Sequence, residues 1–161
     1  MYSYALTYAE EALCAHTGYM RQRKFLNKPY KNVNYVEGDV YEMWQHSIAA
    51  GAELAFARII GLNDFKPSVD TFKSKFDIDG ICEIRYSTNN NLGMRFTSRD
   101  NLEARYVLML DGLRHRTQRF PPDFKGEPYT AVGWIYGYEV SYIENGRVDQ
   151  MYLHPMDKFV K

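Results

Sequence analysis

The chain has 161 residues, with Lys plus Arg equal to Asp plus Glu at twenty each, 45% apolar and 16% aromatic side chains. That length suits one domain whose core needs no disulfide or metal support. Zero net charge removes any global electrostatic pull toward a nucleic acid or a membrane, so contact with a polyanion would have to come from local patches. The two cysteines, Cys14 and Cys82, form no CxxC pair and read as small buried apolar residues of a reducing compartment. No apolar run reaches transmembrane length, and the opening "MYSYALTYAEEALCAH" has glutamates where a signal peptide would be apolar. The expectation is a cytoplasmic protein (host cytoplasm if viral) that makes no membrane contact.

Residues 3–16 have helical spacing, through Tyr4, Tyr8 and Ala12 with Leu6 and Leu13, and Gly18 is a plausible stop. A basic connection with Asn and Pro follows through Val36, so residues 1–38 read as an N-terminal helix and a basic linker. The clearest element is "GDVYEMWQHSIAAGAELAFARIIGLNDF". Asp39 and Glu42 make a capping-box-like start, the apolar positions from Val40 to Ile60 keep the helical period, and Gly61 fits the C-terminal cap. Gly51 costs helix propensity in mid-helix, which points to a close packing contact.

After Pro67 the period changes to two. "VDTFKSKFDID" places Phe72, Phe76 and Ile78 on one face and Asp77 and Asp79 on the other. Gly80 permits a turn, and "ICEIRYS" restarts as a strand with Glu83 and Arg85 on one face. "LGMRFTS" reads as a third strand. "RYVLMLDG" reads as a buried central strand. "TAVGWIYGYEVSYI" is either strand throughout or a strand leading into a short helix, and a short strand is expected around Met151 to His154, halted by Pro155. The fold class is α/β or α+β, a mixed β-sheet flanked by helices in a single domain over residues 1–161.

The acidic residues of this region carry the chemistry. A hard divalent cation takes oxygen ligands, often one or two carboxylates plus phosphate and water. Asp79 at a strand end and Glu83 on the next strand can meet such an ion from two sides. Arg85 would then stand beside it, near the phosphate, while Asp77 is either a spare ligand or a solvated residue. Two basic patches interleave aromatics and cations: "RQRKFLNKPYK" with Arg21, Arg23 and Lys24, and "GLRHRTQRF" with Arg114, Arg116 and Arg119. The four histidines have no metal-ligand spacing.

Taken in order, "GAELAFARIIGL", "FDIDG", "CEIRYS" and the strand "RYVLML" resemble the PD-(D/E)XK nuclease superfamily, and the likeness to small phage-type members continues through "AVGWIYGYEV" and "MYLHPMDKFV". It spans residues 39–157. The resemblance implies a restriction-endonuclease-like core and Mg²⁺ or Mn²⁺ held by Asp79 and Glu83 with Glu53 reaching in from the helix. It also implies hydrolysis of DNA phosphodiester bonds in phage DNA metabolism. Arg85 replaces the usual lysine. An arginine does not lose its proton and suits clamping a phosphate, so the pattern fits either an active site or a degenerate module that binds nucleic acid or a protein. A lysine from the preceding strand, Lys73 or Lys75, is an alternative source of the missing ammonium.

Overall fold

The computed structural model describes residues 2–26, 39–69, 76–78, 80–87, 93–96, 100–114, 128–142 and 147–159. The first element is a short strand, β1 (Ser3–Tyr4), and helix α1 follows at Tyr8–Leu26. Thr7 and Glu10 start the helix as a reciprocal capping box: the Thr7 hydroxyl accepts the Glu10 N–H at 3.1 Å and the Glu10 carboxylate accepts the Thr7 N–H at 3.0 Å. The helix therefore begins later than its apolar spacing suggests and runs through Gly18 instead of stopping there. Gly18 faces Ser47 of the second helix, where an added Cβ would sit 2.2 Å from the Ser47 Oγ and 2.8 Å from its Cα. The glycine lets two helices touch.

That second helix, α2 (Asp39–Ile59), starts where the sequence places it. Its end is a Schellman turn. Leu62 N–H donates to the Ala57 carbonyl at 2.8 Å and Gly61 N–H to Arg58 at 3.1 Å, with Gly61 at φ 86°. Gly51 meets the expected close contact: an added Cβ would lie 2.2 Å from the Tyr129 hydroxyl, which donates to the Ile48 carbonyl at 3.0 Å.

The main sheet has the order β1-β5-β4-β2, with β2 at Glu83–Ser87, β4 at Arg105–Leu110 and β5 at Tyr129–Tyr136. β2 and β4 are parallel, while β4–β5 and β5–β1 are antiparallel, so the sheet is mixed. β4 is central, as its apolar run predicts. Val107 and Met109 face α2, in a core with Trp44, Ile48, Phe56, Ile84 and Trp134. Tyr106 and Leu108 face the opposite side, in a second cluster with Met94, Ile135, Val140 and Val148. That side carries a two-stranded ribbon of β3 (Met94–Arg95) and β6 (Arg147–Val148). The third expected strand thus exists but pairs outside the main sheet.

β5 gives way to a 3-10 turn at Gly137–Tyr142, the strand-then-helix alternative. The strand expected around Met151 is instead a 3-10 turn at Gln150–Tyr152, because the Asp149 side chain accepts the Met151 N–H and offers the backbone a local partner. Only His154 keeps strand-like pairing, exchanging backbone bonds with Trp134 at 2.7 and 3.0 Å. Among the described residues no helix is long and apolar enough to cross a membrane.

Candidate acidic site at the sheet edge

The site is built by a tight chain reversal. Ile78 and Cys82 exchange backbone bonds, Ile78 N–H to Cys82 O at 3.0 Å and Cys82 N–H to Ile78 O at 3.2 Å. One step outward from such a pair, residues 77 and 83 stand directly opposite with no backbone bonds between them, the arrangement that brings side chains closest. Ile78, Cys82 and Ile84 bury into the α2 core, which turns Asp77 and Glu83 away from it together.

Asp77 is therefore more than a solvated residue on the strand face. Its Oδ2 accepts the Ile84 N–H at 2.8 Å, and after burial its charge is the largest influence on the Glu83 carboxyl. A carboxylate beside another disfavours the second one's ionisation. Burial and the Asp77 charge push the Glu83 carboxyl up to about 8, with Arg85 opposing and Glu53 adding to the rise. The spacing-based choice of Asp79 falls on a residue outside the described ones. The signal that would have found Asp77 was the hairpin register, since a bond pair at 78 and 82 makes 77 and 83 neighbours.

Glu53 lies midway along α2 and interacts electrostatically with both Asp77 and Glu83. It is only 5% exposed. Burial raises its carboxyl to about 7, opposed by Arg21 and reinforced by Asp77. Both of its oxygens are already engaged: Arg21 Nη2 donates to Oε2 at 2.8 Å and Nη1 to Oε1 at 3.3 Å. The structure thus brings Glu53 to the neighbourhood of the acidic pair without offering its oxygens to it.

Arg85 shares the Glu83 face of β2, as alternation predicts, but its Nη2 is held by the Asp100 carboxylate at 2.6 Å and its guanidinium lies 5.1 Å from the Tyr106 ring centroid. Arg105 is a second cation at this end of the sheet that the sequence reading passed over. Its Nη2 donates to the Ile81 carbonyl at 3.4 Å inside the reversal, and its guanidinium sits 4.1 Å over the Phe159 ring. Its position at the first residue of the buried strand, one before the register partner of Glu83, was the available clue.

The basic patches divide. Arg21 is buried on Glu53 and Arg114 is buried on Glu11, with the Arg114 guanidinium 4.2 Å over the Tyr129 ring and its Nη1 donating to the Asp111 carbonyl at 3.0 Å. Neither presents itself to a polyanion, because a low-dielectric interior holds a guanidinium only when it is paired. Arg23 and Lys24 are exposed in the last turn of α1, where they also complement its carbonyl end. Arg116 and Arg119 lie outside the described residues, as do Lys73 and Lys75.

A divalent ion fits this arrangement in part. Asp77 and Glu83, set opposite each other at the reversal, offer two hard oxygen donors of the kind a divalent ion takes. Glu53 does not fit as a ligand while Arg21 holds it. Among the described residues no group of three or more His, Cys, Asp or Glu side chains is arranged to hold a metal. No protein family, curated protein or solved structure matches this chain.

Proposed function

We propose that this chain is a divalent-metal-dependent nuclease of PD-(D/E)XK type that hydrolyses DNA phosphodiester bonds, with a restriction-endonuclease-like core and a place in phage DNA metabolism. The observation that carries the reading is the Ile78–Cys82 pairing that sets Asp77 and Glu83 opposite each other at the sheet edge, with the Asp77 charge raising the Glu83 carboxyl and Glu53 of α2 adding to the rise. Mg²⁺ or Mn²⁺ bound there would polarise a phosphoryl oxygen and lower the pKa of a water. Asp77 and Glu83 would hold the ion once Glu83 has lost its proton. Arg85 moderates the negative charge at Glu83 and is kept in place by Asp100. Arg105 sets a second positive charge by the reversal, and Arg23 and Lys24 offer the DNA backbone a non-specific contact.

The test is cleavage of labelled single- and double-stranded DNA with Mg²⁺ or Mn²⁺. Glu83→Gln should reduce the rate by about a hundredfold or more, the scale of lost metal chemistry. Purified wild-type protein that cuts neither DNA nor RNA with either ion would sink the nuclease reading.

One observation favours a second reading, a degenerate module of the same type that binds nucleic acid or a protein without cutting. The Arg85–Asp100 ion pair occupies the cation that would otherwise meet a phosphate. Calorimetric titration with Mn²⁺ separates the two, since a module of this kind has no use for an ion on Asp77 and Glu83.

A further inference from the structure

Helix α1 turns one face to solvent, and that face differs in charge from the chain as a whole. At about 100° per residue, Tyr8, Ala9, Ala12, His16, Tyr19 and Arg23 fall within one arc, and all are exposed. Tyr8 and Tyr19 are about three turns apart, on nearly one line along the helix and roughly 16 Å from each other. They are 74% and 40% exposed, large fractions for side chains of this size.

Both carboxylates of α1 are held inward. Glu10 accepts from Arg58 Nε of α2 at 2.9 Å and from the Tyr4 hydroxyl at 2.9 Å, and Glu11 is buried against Arg114. Arg21, the inward cation, is paired with Glu53. The outer side keeps Arg23 and Lys24, both exposed, with no carboxylate of α1 beside them. A chain of zero net charge thus presents a helix face that is locally positive and aromatic.

We propose that this outer face of α1 is a track for single-stranded DNA, with unpaired bases stacking on Tyr8 and Tyr19 and phosphates meeting Arg23 and Lys24. This role rests on the nucleic-acid reading above and is independent of the metal. Bases in a duplex are stacked on one another and offer a helix only their edges and the phosphates. An unpaired base presents its face, and a tyrosine ring accepts any base because each has a π-face. The same surface suits a partner helix or a bilayer poorly. Between its rings it carries alanines and His16, and the nearest aliphatic residues, Leu13 and Met20, are half-buried, so little apolar area is on offer.

Fluorescence anisotropy of the full chain with a labelled oligothymidylate of about 20 nucleotides, in EDTA at low salt, tests the track without cleavage. Wild type should bind this strand more tightly than a duplex of equal length, and about tenfold more tightly than an abasic strand with the same phosphates. Tyr8→Ala and Tyr19→Ala should each weaken binding of the thymidylate by about fivefold or more, and leave that of the abasic strand unchanged. Tyr8→Phe and Tyr19→Phe keep the ring and should bind as wild type does, which a hydroxyl contact within the fold would not allow. Arg23→Gln should reduce the slope of log affinity against log salt by about 0.7.

Equal affinity for the thymidylate and abasic strands, tighter binding of the duplex, or alanine variants that bind as wild type would each overturn the track and leave the nuclease reading standing. Displacement of the strand by poly-glutamate as readily as by unlabelled thymidylate marks a surface for an acidic protein and overturns it too. A chain that binds no strand also overturns it, and cleavage with Mg²⁺ or Mn²⁺ then decides the nuclease reading separately. Binding as expected without cleavage keeps the track and sinks the nuclease.

Discussion

The proton that Glu83 holds in the fold should be visible in the stability of the fold before any activity is measured. Glu83 is raised from an ordinary 4.5 to about 8 by burial and by Asp77. Across that window the folded chain keeps a proton that the unfolded chain has released. Stability is therefore full below the lower value and falls as pH rises through the upper one. The undiscounted shift would correspond to about 5 kcal/mol at about 1.4 kcal/mol per unit. Glu83 is partly solvated, so screening reduces this to about 2 kcal/mol. For a chain of this size that is about 4–8 °C in melting temperature between pH 5 and pH 8.5. Glu53, raised to about 7, adds a fall of the same sign that ends earlier.

The assay is a set of thermal melts by circular dichroism at pH 5, 7 and 8.5, on wild type and Glu83→Gln, with and without Mn²⁺. Wild type should lose stability over the whole range, and Glu83→Gln should lose less by about the 4–8 °C estimated above, retaining the part due to Glu53. Mn²⁺ should reduce the wild-type fall, because an ion stabilises the form without the proton, and should leave the variant unchanged. If Glu83→Gln loses stability as steeply as wild type, Glu83 does not hold its proton across this range and the site as described is wrong.

Gly51→Ala should destabilise the fold by about 1–3 kcal/mol in urea unfolding through collision with Tyr129, outweighing the gain of about 1 kcal/mol in helix propensity. Gly61→Ala should cost about 1 kcal/mol in the same assay, since the Schellman turn needs the positive φ. Arg114→Met should cost about 3–5 kcal/mol, because it strands the buried Glu11 carboxylate without its partner. Should DNA bind, Arg23→Ala/Lys24→Ala should weaken it in gel shifts at low salt and flatten its salt dependence, the mark of phosphate contacts.

Much of the architecture follows from local pattern. The apolar period and Gly61 delimit α2, the run "RYVLML" marks the central strand, and Gly51 announces a close contact before its partner Tyr129 is known. These succeed because helix period, caps and a strand buried on both faces are properties of neighbouring residues. Local pattern misleads where a distant partner decides. Gly18 looks like a stop and is a helix–helix contact, because Ser47 lies opposite it. The residues around Met151 look like a strand and turn instead, because Asp149 caps them.

The acidic site shows the same division. Glu83 and Arg85 share a face because strand side chains alternate, and that much is in the sequence. The choice of Asp77 as the partner of Glu83 depends on which residues the reversal pairs, and two aspartates two apart have the same parity. Only the bonded pair Ile78–Cys82 sets that register. The fates of the arginines are equally tertiary. Arg21, Arg85 and Arg114 look alike in sequence as cations for a polyanion, yet Glu53, Asp100 and Glu11 claim them. A charge removed from water is stable only beside its opposite, and which opposites become neighbours is decided by the packing of the helices and loops against the sheet.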